Sequence, residues 1–303
     1  MVSVRDIEEA AERIGTRVRR TPVMEHAGVI LKLELLQHAG SFKPRGAFNR
    51  VLSEETLPEA GLIAASGGNH GAALAFVGRS LGVPVEIFLP STRPALKRAN
   101  IERFGARVTA IEGYYDDAQA AATERQRVTG ALMVHPFDHP ATVAGQGTMA
   151  RELEQQVGPI DTLLVATGGG GFTAGQAAWY RSRVKVVSVE PESSQCLRAA
   201  LLAEHPVEVP VSGVAADSLG ARKLGDVPWS IVREHVAEAL VVPDEAIRAA
   251  QRELWNDLRL VVEPGGATAW AALRSGAYRA RPDERIVVVV CGSNCDPTTV
   301  ITP

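Results

Sequence analysis

Residues 163–175 read LLVATGGGGFTAG, a short apolar run that ends in four consecutive glycines and continues into a helical pattern. An apolar run of strand length that stops at such a turn before a helix is typical of a parallel βαβ unit. Similar apolar runs followed by a loop occur at residues 61–65, 85–89 and 186–189. The pattern therefore predicts an α/β fold whose ligands bind in the loops at the carboxyl ends of the strands.

The composition limits what this chain of 303 residues can be. With 46% hydrophobic residues it can bury one large or two modest cores. A net charge of −3 without dense basic runs argues against a nucleic-acid partner, and no apolar stretch approaches the ~20 residues of a membrane helix. The first ten residues lack an apolar signal core, and the three cysteines are too few for a disulfide framework. We therefore expect a cytoplasmic protein.

Residues 40–47 read GSFKPRGA and place Lys43 between an aromatic side chain and small neighbours. A lysine that forms a Schiff base needs a semi-enclosed pocket that lowers its pKa, and small neighbours let a flat ring approach. Lysine is most often an exposed surface charge, so this segment alone leaves that alternative open.

Residues 66–73 read SGGNHGAA and follow the apolar run 61–65. The backbone amides of a strand-to-helix turn can hold a carboxylate, and Asn69 would project toward the ring of a bound ligand. Ser and Asn also favour helix N-termini for structural reasons, so a simple helix cap remains an alternative.

The four glycines of the central turn predict a phosphate site, because their amides can converge on an anion at a helix start. A tight turn alone needs only one or two glycines. A nicotinamide-binding turn is the rival interpretation, since Glu190 follows Gly171 by 19 residues. Against that interpretation, Gly169, Gly171 and Gly175 are spaced one residue wider than the dinucleotide fingerprint.

Residues 290–294, VCGSN, end the last apolar run and could bring the small polar side chain of Cys291 to a ring nitrogen. A buried cysteine that only fills the core is the alternative for this segment.

Together and in this order, these four segments resemble the serine and threonine dehydratase branch of the fold type II pyridoxal 5'-phosphate enzymes, which also contains serine racemase. The resemblance covers nearly the whole chain, with further matches at residues 21–22, 32–37, 135–136, 144–148, 190–191 and 263–267. It implies a tryptophan synthase β-like fold of two lobes, each with an open, mostly parallel sheet covered by helices. The small lobe would comprise residues 41–140, the large cofactor-binding lobe residues 1–40 and 141–303, and the protein would be a homodimer.

The resemblance also implies roles for individual residues. Lys43 would bind the cofactor covalently and act as the general base. The expected cofactor-binding residues are Phe42 against the ring, Asn69 at the ring hydroxyl, Gly168, Gly169, Gly170 and Gly171 at the phosphate, and Cys291 at the pyridine nitrogen. The expected substrate-binding residues are Ser66, Gly67, Gly68 and His70.

The implied reaction converts a small β-hydroxy amino acid, such as L-threonine or L-serine, to its 2-keto acid and ammonia. A neutral thiol at the ring nitrogen makes the cofactor a weaker electron sink than a carboxylate would, which favours β-elimination. Gly67 stands where serine racemase carries a second serine, so racemisation is disfavoured. Cys196 stands where the family's divalent-cation site has an acidic residue, so we expect no metal there, and a monovalent ion or a water-rich shell is the alternative at Glu190.

Several alternatives remain at this point. The substrate could be 3-hydroxyaspartate or another β-hydroxy amino acid, because pocket shape decides side-chain selectivity. Serine racemase, a β-replacing synthase of the cysteine synthase type, a non-catalytic binding module and an NAD-binding protein are the further candidates.

Overall fold

The structure is a computed structural model and describes residues 1–91, 95–113 and 115–301. The α-helices are α1 (Val4–Ile14), α2 (Pro44–Leu52), α3 (Asn69–Leu81), α4 (Ala95–Glu102), α5 (Tyr115–Thr129), α6 (Pro140–Val157), α7 (Gly171–Tyr180), α8 (Cys196–Ala203), α9 (Ala216–Leu219), α10 (Asp226–His235), α11 (Asp244–Leu258), α12 (Pro264–Arg274) and α13 (Thr298–Ile301). Short 3₁₀ helices cover Gly15–Arg17, Glu34–Leu36, His38–Gly40 and Arg181–Arg183. None of the helices in these ranges has both the length and the apolar composition that crossing a bilayer requires.

The strands form two separate sheets. They are β1 (Val23–His26), β2 (Val29–Lys32), β3 (Leu62–Ala65), β4 (Val85–Pro90), β5 (Arg107–Ile111), β6 (Leu132–Met133), β7 (Thr162–Ala166), β8 (Lys185–Pro191), β9 (Glu238–Val242) and β10 (Ile286–Val289). One sheet has the order β1-β2-β10-β7-β8-β9 and the other β5-β4-β3-β6. Among these strands, only the β1–β2 pair is antiparallel. The prediction of two open, mostly parallel sheets covered by helices is confirmed.

The central strands match the sequence prediction because both of their faces are covered. Every residue of β7 and of β10 is buried. Parallel strands covered on both faces carry continuous apolar runs, and such a run is the signal that the sequence showed at residues 163–166. The smaller sheet draws its strands only from residues 62–133, and the larger one from residues on both sides of that range. The lobe boundaries at residues 40 and 140 remain a prediction.

Helix α6 holds two other helices at close range through glycines. A Cβ on Gly145 would lie 2.8 Å from the Cα atom of Gly46 in α2. A Cβ on Gly175 in α7 would lie 2.6 Å from the backbone nitrogen of Gly147. Contacts this close exclude any side chain, so α2 and α7 both pack directly on the α6 backbone. Since Lys43 precedes α2 and the four glycines lead into α7, α6 fixes the relative position of the two segments.

Candidate active site

The predicted site residues lie where strands end and helices begin. Lys43 is the residue before α2, and Asn69 is the first residue of α3, four residues after β3 ends. The four glycines connect β7 to α7, and Cys291 follows β10 by two residues. The carboxyl ends of strands in open α/β sheets are the usual ligand sites, so this placement agrees with the sequence expectation.

Lys43 points its amino group at a backbone carbonyl rather than at a carboxylate. Its Nζ atom donates a 3.0 Å hydrogen bond to the carbonyl oxygen of Pro136 and lies 5.1 Å from the centre of the Phe42 ring. Burial lowers the pKa of Lys43 to about 8, although Cys291 and Glu263 act in the opposite direction. A lysine with this pKa is partly neutral near pH 7, which a nucleophile or a general base requires.

The backbone joins Lys43 to the other predicted segments. The amide of Phe42 donates to the carbonyl oxygen of Cys291 over 3.3 Å, and Ser41 pairs with Gly292 in a β-bridge. The Phe42 ring stacks on Phe172, with 3.9 Å between the ring centroids. Because Phe172 directly follows the last of the four glycines, the lysine segment contacts both the glycine turn and the cysteine segment.

Two carbonyl groups of the glycine turn accept hydrogen bonds from other segments of the protein. The carbonyl oxygen of Gly168 accepts a hydrogen bond from the Cys196 thiol over 3.2 Å, and that of Gly169 accepts one from the Gly225 amide over 3.2 Å. The first amides of a helix have no partner within it, so the start of α7 presents donors suited to a phosphate. Gly170 adopts a left-handed conformation with φ of 88°, which glycine tolerates best.

Close packing also explains why several of these four positions are occupied by glycine. A Cβ on Gly169 or on Gly171 would overlap Phe137, and a Cβ on Gly170 would overlap Leu224. No packing reason for so many glycines was evident from the sequence, and the structure supplies one for three of the four. Their predicted contact with a phosphate remains a prediction.

The turn after β3 carries a half-buried serine hydroxyl and a buried histidine ring. Ser66 is half-buried, and its Oγ accepts from the amide of Gly68 over 3.4 Å. The His70 ring is buried, and its Nε2 bonds the carbonyl oxygen of Val134 over 2.7 Å. Burial lowers the pKa of His70 to about 3, so the ring is neutral at pH 7. Carboxylate binding by Ser66, Gly67, Gly68 and His70 remains a prediction, and His70 would contribute through its backbone.

Cys291 is buried, and its Sγ lies 3.6 Å from the carbonyl oxygen of Gly265. Burial raises the pKa of the thiol above its ordinary value, so the side chain is neutral at pH 7. Nearby, the hydroxyl of Ser41 is buried and has no hydrogen-bond partner within the described residues.

Three functional candidates were missed at the sequence level: Glu263, Asn294 and the segment from Pro136 to Asp138. Glu263 directly precedes α12, and its Oε1 accepts from Asn69 Nδ2 over 2.5 Å. Asn294 Nδ2 donates to Asn69 Oδ1 over 2.7 Å. The sequence analysis noted residues 135–136 only as a further match of the family resemblance, but Pro136 contacts Lys43 and Phe137 contacts the glycine turn. The Glu263-Pro264 pair at a helix start was visible in the sequence but pointed to no role.

A network of buried charged side chains surrounds Arg45, two residues after Lys43. The sequence analysis did not predict this network either. Arg45 donates to both carboxylate oxygens of Glu34, over 2.7 and 2.8 Å, and to Glu152 over 3.0 Å. Lys32 donates to Glu152 over 2.5 Å. Burial opposes the charge of Arg45, but the two carboxylates outweigh burial and raise its pKa. The two cations and two anions anchor the first turn of α2 to β2 and α6.

The family resemblance places a cation site at Glu190, but in the structure this carboxylate accepts hydrogen bonds from backbone amides. Its two carboxylate oxygens accept from the amides of Leu197 and Arg198, over 2.7 and 2.8 Å. Burial raises the pKa of Glu190 to about 7. Cys196, the residue that replaces the expected acid, bonds the glycine turn instead. The expectation of no metal at this position stays a prediction.

The residues present fit pyridoxal phosphate. An amine of lowered pKa would bond the aldehyde carbon, the start of α7 would hold the phosphate, and a neutral thiol would face the pyridine nitrogen. The Ser41 hydroxyl, buried beside Lys43 and unpartnered among the described residues, is a further polar group available to a ligand.

Comparison with known proteins agrees with this assignment. Residues 12–292 match the family described as pyridoxal-phosphate dependent enzyme. The biosynthetic L-threonine dehydratase of Escherichia coli (strain K12) is 38% identical over 272 residues, which are 88% of this chain and 53% of that enzyme. The serine racemase of Oryza sativa subsp. indica is 32% identical over 309 residues, covering 97% of this chain and 91% of that protein.

Among solved structures, maize serine racemase superimposes with a TM-score of 0.92 at 32% identity, covering 97% of this chain and 94% of that one. The T.th. threonine deaminase superimposes with a TM-score of 0.89 at 33% identity, covering 97% of this chain and 99% of that one. The chain spans about half the length of the biosynthetic threonine dehydratases that it matches.

Proposed function

This chain belongs to the family of pyridoxal-phosphate-dependent enzymes, in the fold type II serine and threonine dehydratase group with serine racemase relatives, and we propose that it dehydrates and deaminates a small β-hydroxy amino acid. The products are the 2-keto acid and ammonia. L-threonine and L-serine are the preferred candidates, because threonine dehydratase is a relative of this chain. The serine racemases are similarly related, so the choice between the two reactions rests on the site.

The observation that carries the proposal is the combination of Lys43 with a neutral Cys291. When bound, pyridoxal phosphate accepts the electron pair that is left when the α-carbon loses a proton. The Lys43 amine takes up that proton, and its pKa of about 8 lets it be neutral beforehand. The Cys291 thiol does not supply a negative charge at the ring nitrogen. This arrangement favours prompt loss of the β-hydroxyl over a long-lived α-carbanion.

The rest of the site orients the reactants. The amides at the start of α7 bind the phosphate, and Phe42 and Phe172 form an aromatic wall beside Lys43. The amides of the turn at residues 66–70 bind the substrate carboxylate. The β-hydroxyl leaves as water, with a net gain of the proton that Lys43 removed from the α-carbon. Hydrolysis then consumes one water and releases the amino group as ammonia.

A second candidate is 3-hydroxyaspartate dehydration. The observation that favours it is Lys97 of α4, which is largely buried and forms a 3.0 Å ion pair with Asp217 of α9. The carbonyl of Asp217 lies near Gly68 of the predicted carboxylate-binding turn. A lysine so placed could bind a second substrate carboxylate. Serine racemase activity is less favoured, because Gly67 offers no side-chain acid or base.

We also propose that the protein is a cytoplasmic homodimer. All three cysteines are free thiols, which suits a reducing compartment. The dimer rests on the family resemblance, and sedimentation of the purified protein tests it.

The function is tested with the absorbance spectrum of the purified protein and a keto-acid assay against L-threonine, L-serine and 3-hydroxyaspartate. We expect a visible band that is lost in Lys43→Ala and kept in Lys185→Ala, whose lysine pairs with Glu238 at the surface. Keto acid from one of these substrates would support the proposal. A coloured protein that forms D-serine without keto acid would identify a racemase instead, and a colourless protein after cofactor addition would overturn both.

A further inference from the structure

Glu263 directs its side chain away from its own helix and toward the smaller sheet. It precedes α12, and its carboxylate makes no capping bond to that helix. Its backbone amide donates to the carbonyl oxygen of Gly292 over 3.1 Å. A Cβ on Gly292 would overlap Glu263 Oε1, so a glycine at position 292 makes room for the carboxylate. Glu263 is only 4% exposed, and glutamate is almost never fully buried unless a partner holds it.

The bond made by this carboxylate fixes the orientation of Asn69. Asn69 Nδ2 donates to Glu263 Oε1 over 2.5 Å, and Asn69 Oδ1 accepts from Asn294 Nδ2 over 2.7 Å. Asn294 is itself held, because the same nitrogen donates to the carbonyl oxygen of Ala39 over 2.7 Å. With both ends bonded, the amide of Asn69 cannot turn over without losing two hydrogen bonds. An Asn nitrogen carries two hydrogens, so one N–H remains for a ligand.

We propose that Glu263 is a positioning residue, which holds the remaining N–H of Asn69 toward the cofactor ring and thereby sets the affinity for pyridoxal phosphate. The carboxylate form accepts the Asn69 bond more strongly than a neutral group, because charge-assisted hydrogen bonds are about twice as strong as neutral ones. Protonation of Glu263 therefore loosens Asn69 and weakens cofactor binding. The inference depends on the cofactor and not on the identity of the amino acid substrate.

The surroundings of Glu263 shift its protonation to near neutral pH. Burial raises its pKa to about 7, and Asp217 of α9 adds to this, while the Asn69 bond and the charges of Lys97 and Lys43 act in the opposite direction. The charge of Glu263 also raises the pKa values of the Cys291 and Cys295 thiols, and both thiols are neutral at pH 7. Above pH 7 the carboxylate predominates and Asn69 is held tightly. Below pH 6 the neutral acid predominates.

The test compares the wild type with Glu263→Gln, which keeps a carbonyl acceptor for Asn69 but cannot titrate. Cofactor dissociation constants are measured by equilibrium dialysis of the holoenzymes of the 303-residue chain against pyridoxal 5'-phosphate between pH 5.5 and 8.5. We expect the variant to bind about tenfold more weakly than the wild type above pH 8, as the loss of charge assistance implies, and to match it below pH 6. Because Glu263 also raises the pKa of Lys43, its removal changes the titration of Lys43 as well, and this direct effect is measured separately in a background without Asn69.

The same comparison in an Asn69→Ala background separates positioning from a general structural role. If Glu263 acts through Asn69, most of the difference between the Gln and Glu proteins should be lost in that background, and only the direct effect of the Glu263 charge on Lys43 should remain. A ratio that does not change with pH in the native background, or that persists in full without Asn69, would overturn the inference. Because dissociation of the cofactor is the readout, the test gives a clear answer even if no keto acid forms and the proposed function fails.

Discussion

The ring of Phe137 lies so close to Gly169 that a Cβ on residue 169 would stand 2.4 Å from a ring carbon. Phe137 comes from the segment between β6 and α6, and Gly169 comes from the turn between β7 and α7. The contact therefore places the ring against the backbone of the predicted phosphate-binding turn. It also brings the segment that holds Lys43 through Pro136 against that turn.

We predict that Gly169→Ala displaces Phe137 or the glycine turn. Overpacking of this kind typically costs about 1–3 kcal/mol of unfolding free energy. The double variant Gly169→Ala with Phe137→Leu should recover part of that loss and of the bound cofactor. Urea unfolding and the visible absorbance measure the two effects. Equal stability of the single variant and the wild type would show that the ring moves aside freely.

The parts of the fold that could be predicted from sequence are those with a local signal. The strand at residues 163–166 and the glycines after it form one short pattern, and the structure has β7 and the turn at those positions. The motif around Lys43 likewise identified a half-buried lysine. In each case neighbours in the sequence determine the local structure, so a single segment carries enough information.

The parts that could not be predicted depend on contacts between distant segments. Asn69 and Glu263 bond directly although 194 positions separate them, and no spacing rule connects them. Arg45 appeared as one charge in a motif, whereas the structure shows it buried between Glu34 and Glu152. Whether a charged side chain is buried is decided by the packing of elements that come together only in the fold.

We predict that Arg45→Met strongly destabilises the protein. The change leaves the fully buried Glu34 without its main partner, and removing one member of a buried pair typically costs about 3–5 kcal/mol. Arg98→Met, which removes an exposed pair with Glu102, should cost less than about 1 kcal/mol. Denaturant unfolding of both variants makes the comparison. Adding Glu34→Gln to Arg45→Met should restore part of the stability, and a small effect of Arg45→Met alone would contradict the proposed anchoring role.

We predict that the native protein reacts with a thiol reagent at Cys295 alone. Cys196 and Cys291 are buried, whereas Cys295 is partly exposed. Burial, together with the charges of Glu263 and Asp296, raises the pKa of Cys295 to about 11. The thiolate is the reactive form, so the labelling rate should rise about tenfold per pH unit between 7 and 9. Cys295→Ser should abolish labelling of the folded protein, and rapid labelling of that variant would show that a buried thiol is accessible.

We predict that protonation of His135 at acid pH destabilises the segment that holds Lys43. His135 Nδ1 accepts hydrogen bonds from the amides of Phe137 and Asp138, over 3.3 and 2.7 Å, so that nitrogen must be unprotonated. Burial lowers the pKa of His135 to about 4, and the charge of Lys43 also lowers it. Since the folded pKa lies below the unfolded value of about 6.5, the stabilisation is present above pH 6.5 and is lost as pH falls through 4.

The variant His135→Asn isolates this effect, because an Asn oxygen can accept from the same amides without titrating. The advantage in unfolding free energy of the wild type over the variant should shrink by about 1–2 kcal/mol between pH 7 and pH 5. Urea unfolding at both pH values measures it, and a difference that stays constant would show that His135 does not titrate differently on folding. Because Pro136, the acceptor of the Lys43 bond, lies between His135 and Phe137, the same protonation is expected to release Lys43. The visible absorbance of the wild type should therefore change as pH falls through about 4, where His135 of the folded protein protonates, and that of His135→Asn should change less.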